Sequence, residues 1–495
     1  MHASTPNTPL YKAIYQQLRG DIANGRIPAG TRLPSLRHLA TDQGVSRITV
    51  ATAYRELQLE GLIETRERSG TFVVDTPAEK LSCCFSRPPA PQEESRISWE
   101  RRLRQNADPV REFMLGRVLS AMTNPDTIPF CWGAGDPLLF PIDSFRVIIN
   151  RVLRVHGLAA AGAECTEGFP GLRIALAEYL RRLGIQVESD GLIVTTGSQQ
   201  AIMLVAEVLL RPGDKVVLES PTWPGAVEAF ISRGAKLLTI PVDRDGMQVE
   251  ALNTLLSQER PKLIYTVPTF HNPTGAVMSL ERRQYLIQKA SEFGIPILED
   301  DALREVRFGS PTPPPLAALD TSGNVINVGS FTKSLLPAAR IGYLVGPKPL
   351  LECAVSRKRW IDMFCSPLMQ HALAAYLKSG EAVDYWKRIS RVYAKRQHAM
   401  LEALSTYFPK EAQWKEVDGG PQLWVRIPDD LPVRRLCNDA IKAGVSFVPG
   451  EAFFPVPDNQ HYIRLNFAAV DEKRIEIGIR TLGRLIRSDS RSAVA

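Results

Sequence analysis

Between residues 170 and 345, short apolar runs of strand length alternate with segments whose apolar residues recur at helical spacing. Helices form the crossovers between parallel strands, and strands covered on both faces are apolar throughout. The alternation therefore predicts an open, mainly parallel α/β sheet with helices on both sides. The predicted strands are 192–195, 216–219, 237–241, 263–267, 296–299, 325–328 and 341–345. Beyond residue 349, helices followed by a mixed segment predict a smaller C-terminal α/β lobe.

Residues 10–75 follow a different pattern. Leu10, Ile14, Leu18 and Ile22 recur every four residues, which indicates an amphipathic helix. Two shorter helical segments follow, and two short strands then surround a turn at 68–70. The order helix, helix, turn, helix, hairpin predicts a winged helix-turn-helix.

The boundaries follow from where periodicity is lost. We predict a DNA-binding domain at 1–76, a proline-rich linker at 77–108, a large domain at 109–487 and a disordered tail at 488–495. A chain of 495 residues is too long for one ordinary core, which also favours two or more domains.

Composition and charge limit the partners, metal sites and cellular location that this chain could have. The formal charge of +7 permits an acidic partner without requiring one. The cysteines lack CxxC or other ligand spacing, so no metal site is expected. The chain start lacks the pattern of a signal peptide, and no apolar run reaches the roughly 18 residues of a membrane span. We therefore expect a cytoplasmic protein without membrane contacts.

Chemically suggestive residues follow the ends of predicted strands, where α/β sheets bind ligands. Lys333 follows strand 325–328, and such a lysine is held rigidly enough to form a Schiff base. Ser330 and Arg340 flank it and can grip a phosphate. Considered by itself, Lys333 would far more often be a solvated loop lysine.

Three further strand ends fit the same chemistry. One carboxylate of the Asp300-Asp301 pair could keep a pyridine nitrogen protonated, although paired acids also cap loops. A protonated pyridine ring is the electron sink of pyridoxal 5′-phosphate (PLP). Residues 196–202 form a strand-to-helix junction at which free N–H groups and Ser198 suit a phosphate. Asn272 can donate to a phenolate oxygen, although Asn-Pro also makes an ordinary turn.

With these motifs in place, residues 130–485 resemble fold-type I, class I/II aminotransferases, through 272–275, Asp300, 330–333 and Arg340. Residues 9–74 resemble the GntR-type winged helix, through 33–37, 45–50 and 69–73. The fusion resembles the MocR subfamily of regulators. The resemblance implies PLP on Lys333, with Asp300 at the ring nitrogen and Asn272 at O3′. It further implies a phosphate site, a stacked aromatic ring and an arginine for a substrate carboxylate, at Ser198, Gln199, Ser330, Arg340, Trp223 and Arg464.

Two positions depart from the aminotransferase pattern. The usual tyrosine after the aspartate is replaced by Ala302 and Leu303, and the aromatic residue that usually reaches the partner's phosphate is missing from 163–167. Tyr265 is one candidate to supply the missing hydroxyl. We expect PLP binding to survive both losses and efficient transamination to suffer.

The third helix carries the residues expected to read DNA. Recognition helices contact base edges in the major groove from their first turns, and the wing tip approaches phosphate or the minor groove. The expected DNA-binding residues are Ser35, Arg37, Ser46, Arg47, Thr49, Thr52, Arg55 and Gly70. The alternative is a helical domain that binds protein or nothing.

The favoured hypothesis is a homodimeric, PLP-dependent transcription regulator. It would bind a DNA operator and sense an amino acid or amine through aldimine exchange at Lys333. One rival is a working aminotransferase with an accessory DNA-binding domain. Another treats the large domain as a dimerisation scaffold without a cofactor.

Overall fold

In this computed structural model the chain forms two compact units, Met1–Arg104 and Gln105–Ala495. The structure describes residues 10–23, 26–60, 62–66, 69–74, a few positions between 116 and 124, 126–309, 311–429, 431–456 and 461–492. The predicted linker at 77–108 lies outside the described residues.

The first unit is a winged helix-turn-helix, as predicted. Its elements are α1 (Leu10–Ala23), α2 (Leu36–Asp42), α3 (Arg47–Leu59), β1 (Ile63–Arg66) and β2 (Gly70–Val73). The two strands pair antiparallel, with Ile63 opposite Val73. Apolar residues of α1 and α3, including Ile14, Val50 and Leu57, form one buried core with both strands.

The second unit contains an eight-stranded sheet in the order β4-β11-β10-β9-β8-β5-β6-β7. These strands are β4 (Leu192–Thr195), β5 (Lys215–Ser220), β6 (Lys236–Asp243), β7 (Gly246–Met247), β8 (Leu263–Thr266), β9 (Ile297–Asp300), β10 (Val325–Ser330) and β11 (Gly342–Val345). β10, β9, β8, β5 and β6 pair in parallel, whereas β11 and β7 are antiparallel to their neighbours. The mainly parallel sheet is confirmed.

Helices cover both faces of this sheet. The helices of this part of the chain are α4 (Ile142–His156), α5 (Leu158–Ala161), α6 (Pro170–Arg182), α7 (Ser198–Leu209), α8 (Pro224–Ile231), α9 (Leu252–Glu259), α10 (Leu280–Glu292), α11 (Leu316–Leu319), α12 (Phe331–Ser334) and α13 (Lys348–Ile361). One apolar cluster joins α7, α8 and α13 to the sheet, and a separate cluster joins α9 and α10 to it. The carboxyl ends of the parallel strands consequently meet at one edge, where ligands of such sheets bind.

A smaller C-terminal lobe completes the unit, as predicted. β12 (Gln422–Arg426), β15 (Tyr462–Asn466) and β14 (Val448–Pro449) form an antiparallel sheet, and β13 (Val445–Ser446) pairs in parallel with β3 (Ile128–Pro129). The remaining helices are α14 (Pro367–Ser379), α15 (Glu381–Tyr407), α16 (Val433–Lys442) and α17 (Glu472–Ser492).

The last helix corrects one prediction. A disordered tail was expected from residue 488, but α17 continues to Ser492. Buried Leu482 and Ile486 anchor its preceding turns, and helical hydrogen bonding then extends past the last apolar anchor. No helix among the described residues is both long and apolar enough to cross a membrane.

Candidate functional site

Lys333 lies on the one-turn helix α12, directly after the buried strand β10. Its half-buried side chain places Nζ 4.8 Å from the ring centroid of Trp223. Burial lowers the pKa of the Lys333 ammonium, while the Asp300 carboxylate raises it and the Arg464 guanidinium lowers it. The lysine is thus rigidly placed, and its amine is easier to deprotonate than that of an exposed lysine.

Asp300 ends β9 and is buried. Its Oδ2 accepts a hydrogen bond from the Tyr265 hydroxyl at 3.1 Å, and its Oδ1 accepts one from the Ala302 N–H at 3.2 Å. Burial raises the pKa of Asp300, and both Lys333 and the Tyr265 hydrogen bond oppose that rise. Its neighbour Asp301 instead forms a buried ion pair with Arg304, so the two acids have separate roles.

Arg464 and Asn272 meet at the same edge of the sheet. The Asn272 Oδ1 accepts hydrogen bonds from Arg464 Nη1 and Gln422 Nε2, each at 3.3 Å. With its oxygen engaged, Asn272 has its Nδ2 available as a donor. Arg464 Nη2 donates to the Cys131 carbonyl at 2.8 Å, and its Cζ lies 5.2 Å from the Phe453 ring centroid.

The Arg464 guanidinium has no acidic partner among the described residues. The residue is only 3% exposed, and its Nε lacks a hydrogen-bond partner there. Burial lowers the pKa of Arg464 to about 10, so it stays cationic at neutral pH. A buried cation is costly unless an anion pairs with it. The geometry therefore suits a carboxylate supplied from outside the chain.

A second anion-binding arrangement lies at the start of α7. Gly197 precedes this helix with φ +123°, and a Cβ placed there would lie 3.3 Å from an Arg340 Nη. Arg340 Nη1 also donates to the Thr332 hydroxyl at 3.3 Å, and the Ser330 hydroxyl accepts from the Thr332 N–H. The first N–H groups of α7, beginning at Ser198, have no carbonyl partner within the helix. This arrangement of donors suits a phosphate.

Gln199 fixes the ring that faces Lys333. Its Oε1 accepts from Trp223 Nε1 at 2.9 Å, and its Nε2 donates to the Gly225 carbonyl at 2.7 Å. Both ends of the Gln199 amide therefore bond within the protein, and its oxygen orients Trp223. Its backbone N–H, in the first turn of α7, remains the group that can face an anion.

Two positions that depart from the aminotransferase pattern lie in the interior of the protein. Ala302 and Leu303 are both buried and offer no side-chain hydroxyl. The Tyr265 hydroxyl, the candidate replacement, donates to Asp300. Burial and nearby carboxylates raise the pKa of Tyr265 well above its usual value, so it remains a donor.

In the first unit, the arginines divide into two groups. Arg37, Arg47 and Arg55 are exposed and have no ion-pair partner among the described residues. Other arginines of this unit are paired with acids, namely Arg19 with Glu60, Arg26 with Asp21 and Arg66 with Glu64. Arg37, Arg47 and Arg55 thus lie on α2 and α3, where the sequence predicts DNA contacts.

The predicted hydroxyl residues mainly shape the recognition helix. Ser35 and Ser46 are the N-caps of α2 and α3 and accept from the His38 and Thr49 N–H groups. The Thr49 and Ser46 hydroxyls contact each other at 2.8 Å, and Thr52 donates to the Ile48 carbonyl. These bonds fix the start of α3 and leave its arginines exposed.

Gly70 begins the second wing strand with φ +115°. A Cβ there would lie 2.7 Å from the Nε of Arg32. The glycine therefore lets the Arg32 guanidinium lie beside the wing. The sequence prediction missed this arginine, because it precedes α2 and belongs to no helical pattern.

Both units match known families. Residues 129–482 match the family described as aminotransferase class I and II, and residues 10–73 match the bacterial regulatory proteins of the gntR family. The probable rhizopine catabolism regulatory protein MocR of Rhizobium meliloti is 33% identical, covering 96% of this chain and 93% of its own. The regulator TauR of Rhodobacter capsulatus is 30% identical, over 97% of this chain and 96% of its own. The chain belongs to the MocR-type regulators.

The aminotransferase half of this MocR-type chain is also similar to solved enzymes. The α-aminoadipate aminotransferase LysN of Thermus thermophilus, complexed with N-(5′-phosphopyridoxyl)-L-leucine, is 34% identical with a TM-score of 0.74. The match covers 80% of this chain and all of that one. PLP is accordingly the cofactor of the MocR-type protein, and its GntR-type unit binds DNA.

The MocR-type site fits PLP on its own geometry. Gly197 keeps open a space that faces Arg340, which suits the phosphate. Asp300 offers a buried carboxylate near Lys333, and Asn272 offers an amide donor. The unpartnered Nε of the buried Arg464 cation adds a donor that suits an anionic ligand.

Several residues of this site were not predicted. Thr332 contacts Arg340, and Gln422 and Cys131 hold Asn272 and Arg464 in place. For Thr332, the signal was its position beside Lys333. Gln422 and Cys131 carry no motif, and only the folding of distant segments brings them to the site.

Proposed function

We propose that this regulator senses an amino compound carrying a carboxylate, which takes the place of Lys333 on PLP and thereby changes the affinity for operator DNA. The observation that carries the proposal is Arg464, a buried cation without an acidic partner among the described residues, held beside Asn272. The effector's carboxylate would form a charge-assisted pair with it.

The cofactor would be held by the residues described above. Backbone N–H groups of Ser198 and Gln199, the Ser330 hydroxyl and the Arg340 guanidinium would bind the phosphate. Asp300 would accept from the ring nitrogen, Asn272 Nδ2 would donate to O3′, and the Trp223 ring would stack on the pyridine.

When bound, PLP supplies a carbonyl carbon that a lysine amine can hold and that another primary amine can take over. Lys333 supplies that amine, and its lowered pKa increases the deprotonated, nucleophilic fraction. Released from the cofactor, the Lys333 amine would be free to accept or return a proton beside Asp300. Arg464 would orient the incoming amine by binding its carboxylate.

We also propose that the regulator is a homodimer, so that two winged helices meet two operator half-sites. The support is a set of large apolar side chains exposed in two segments of the second unit. They are Leu138, Ile142, Val147, Val155, Leu158, Trp360, Ile361 and Met363. Monomers rarely leave so much apolar surface in water, and a second subunit would cover it.

A second candidate function is catalytic transamination. The intact Lys333, Asp300 and Asn272, together with the similarity to LysN, favour it. The buried Ala302 and Leu303 count against it, because neither can donate to O3′. Full keto-acid production at ordinary enzyme rates, on the order of 1–10³ s⁻¹, would favour the enzyme.

The test is an absorbance titration of the purified protein with a panel of amino acids and the corresponding decarboxylated amines. We expect a yellow protein whose spectrum responds to carboxylated amines without stoichiometric keto acid. Lys333→Ala should lose the borohydride-trapped adduct while the circular dichroism stays unchanged. A colourless protein, or an unchanged adduct in the variant, would contradict the proposal.

A further inference from the structure

A second, basic cavity lies behind the Lys333 loop. It has a volume of about 570 Å³ and is bounded by the end of α6, residues 304–309, residues 312–315 and the start of α15. We call this cavity the basic groove. Its charged lining residues are Arg182, Arg304, Glu305, Arg307, Lys387 and Arg391. An adjoining cavity of about 180 Å³ shares Arg182 and Glu305 with it.

The positive charge of the basic groove is largely unbalanced. Arg182, Arg307 and Arg391 have no ion-pair partner among the described residues, whereas Arg181, the residue before Arg182, is paired with Glu188. The one carboxylate in the lining, Glu305, accepts a hydrogen bond from Tyr179. Repulsion between the three guanidinium groups would be relieved by a bound anion.

The shape of the basic groove favours a small molecule. Its volume falls within the roughly 300–1,000 Å³ of small-molecule sites, and Phe308 and Trp386 add apolar surface to the lining. A duplex or a flat protein surface would reach the rim of such a concavity but not its interior. Guanidinium groups prefer planar carboxylates and phosphates, which they bind in bidentate fashion.

We propose that the basic groove binds a small organic anion with two or more phosphate or carboxylate groups, as a second ligand distinct from the amine effector. This goes beyond the proposed function, since no residue of the basic groove belongs to the PLP site.

Direct hydrogen bonds connect this groove to the Lys333 loop. Trp386 lies in the lining, and its Nε1 donates to the Ser334 carbonyl at 2.9 Å, one residue after Lys333. The next residue on α15 toward its start, Tyr385, donates to the Leu335 carbonyl at 3.3 Å. A ligand that displaces the start of α15 would therefore act on the loop that carries Lys333.

The ion pair at the floor of the groove makes a second connection. Arg304 binds Asp301, the neighbour of Asp300, and also donates to the Thr269 hydroxyl at 2.7 Å. Thr269 precedes Asn272 in the loop that reaches the PLP site. An anion that draws Arg304 outward would act on both the Asp300 and the Asn272 ends of the site.

Calorimetric titration of the PLP-loaded, full-length protein with citrate and with inorganic pyrophosphate, at constant ionic strength, tests the proposal. The triple variant Arg182→Gln, Arg307→Gln, Arg391→Gln should bind at least one of these probes at least tenfold more weakly than wild type. The matched control removes three exposed arginines elsewhere that have no ion-pair partner within the described part of the chain, with Arg211→Gln, Arg484→Gln and Arg487→Gln, and should bind like wild type. Circular dichroism verifies that both variants fold.

A second measurement separates binding from its consequence. The probe should shift the absorbance of the Lys333-bound cofactor, and Trp386→Phe should bind the probe while losing most of that shift. Equal affinity in the groove variant and the control variant would overturn the proposal, because it would mark binding as a general effect of charge. Failure of both probes to bind wild type would overturn it as well.

Discussion

At the scale of single residues, the buried charge of Arg464 governs the site. Its guanidinium is bonded to two neutral oxygens, of Cys131 and Asn272, and to no carboxylate among the described residues. The unpaired charge lowers stability in the free protein, and a ligand carboxylate would restore that loss. Selectivity for carboxylated amines should therefore depend on this one side chain.

Arg464→Gln should lower the affinity for a responsive amino acid by about 2–5 kcal/mol, because the ligand's carboxylate would lose its buried partner. The decarboxylated amine should bind the variant and the wild type alike. Absorbance titrations measure both affinities. Arg426→Gln is the matched control, since Arg426 lies in the same lobe but is partly exposed to solvent and paired with Asp429. Equal losses for both ligands would contradict this role of Arg464.

The sequence singled out Lys333, Asp300 and Asn272 because each lies at or beyond the end of a strand within a short motif, whereas Trp223 and Arg464 followed only from the family resemblance. It could not predict Gln422 or Cys131, which lie in other segments and meet Asn272 and Arg464 only after folding. The direction in which a side chain points could not be predicted from the sequence either. Tyr265 was a candidate to replace the missing O3′ hydroxyl, yet from β8 its hydroxyl reaches Asp300 on the neighbouring strand β9.

At the scale of secondary-structure elements, the uninterrupted apolar runs were enough to predict the central strands of the sheet. The predicted bounds of β4 agree with the structure, and β10 continues two residues further, which places Ser330 at its end. The short strands β7, β13 and β14 were not predicted individually, because two residues carry no periodicity. In the first unit, capping serines and a glycine turn marked the helix boundaries in advance.

The recognition helix α3 yields a prediction at this scale. Arg47, its first residue, is exposed and unpaired, so Arg47→Ala should weaken specific operator binding by about 1–3 kcal/mol. Arg26→Ala is the control, because that exposed arginine is paired with Asp21. Fluorescence anisotropy with specific and random duplexes measures the effect. An equal loss on both duplexes would identify Arg47 as a phosphate contact instead of a base-reading residue.

At the scale of the whole molecule, the proposed regulator consists of two copies of the chain. The exposed apolar residues around Leu158 and Trp360 are the surface that a second subunit would cover. Two winged helices on one dimer would bind a palindromic operator with far higher affinity than either alone.

Trp360→Glu should convert the dimer into monomers, since Trp360 is 86% exposed and a charge there opposes apolar burial. Light scattering after gel filtration measures the mass. Affinity for a palindromic operator should fall, whereas affinity for one half-site should stay constant. Leu280→Glu, at an exposed position after the α10 cap, is the control and should remain dimeric. A variant that stays dimeric would place the subunit contact elsewhere.

The central claim is that replacement of Lys333 on the cofactor changes DNA affinity. The direct measurement is anisotropy on a duplex that the protein selects from a random pool, with an amino compound that shifts the cofactor absorbance. We predict that DNA affinity and absorbance change over the same range of compound concentration. Protein reduced beforehand with borohydride, which fixes the cofactor permanently to Lys333, should bind DNA without any response. An equal response in the reduced protein, or a full absorbance change with constant DNA affinity, would contradict the account.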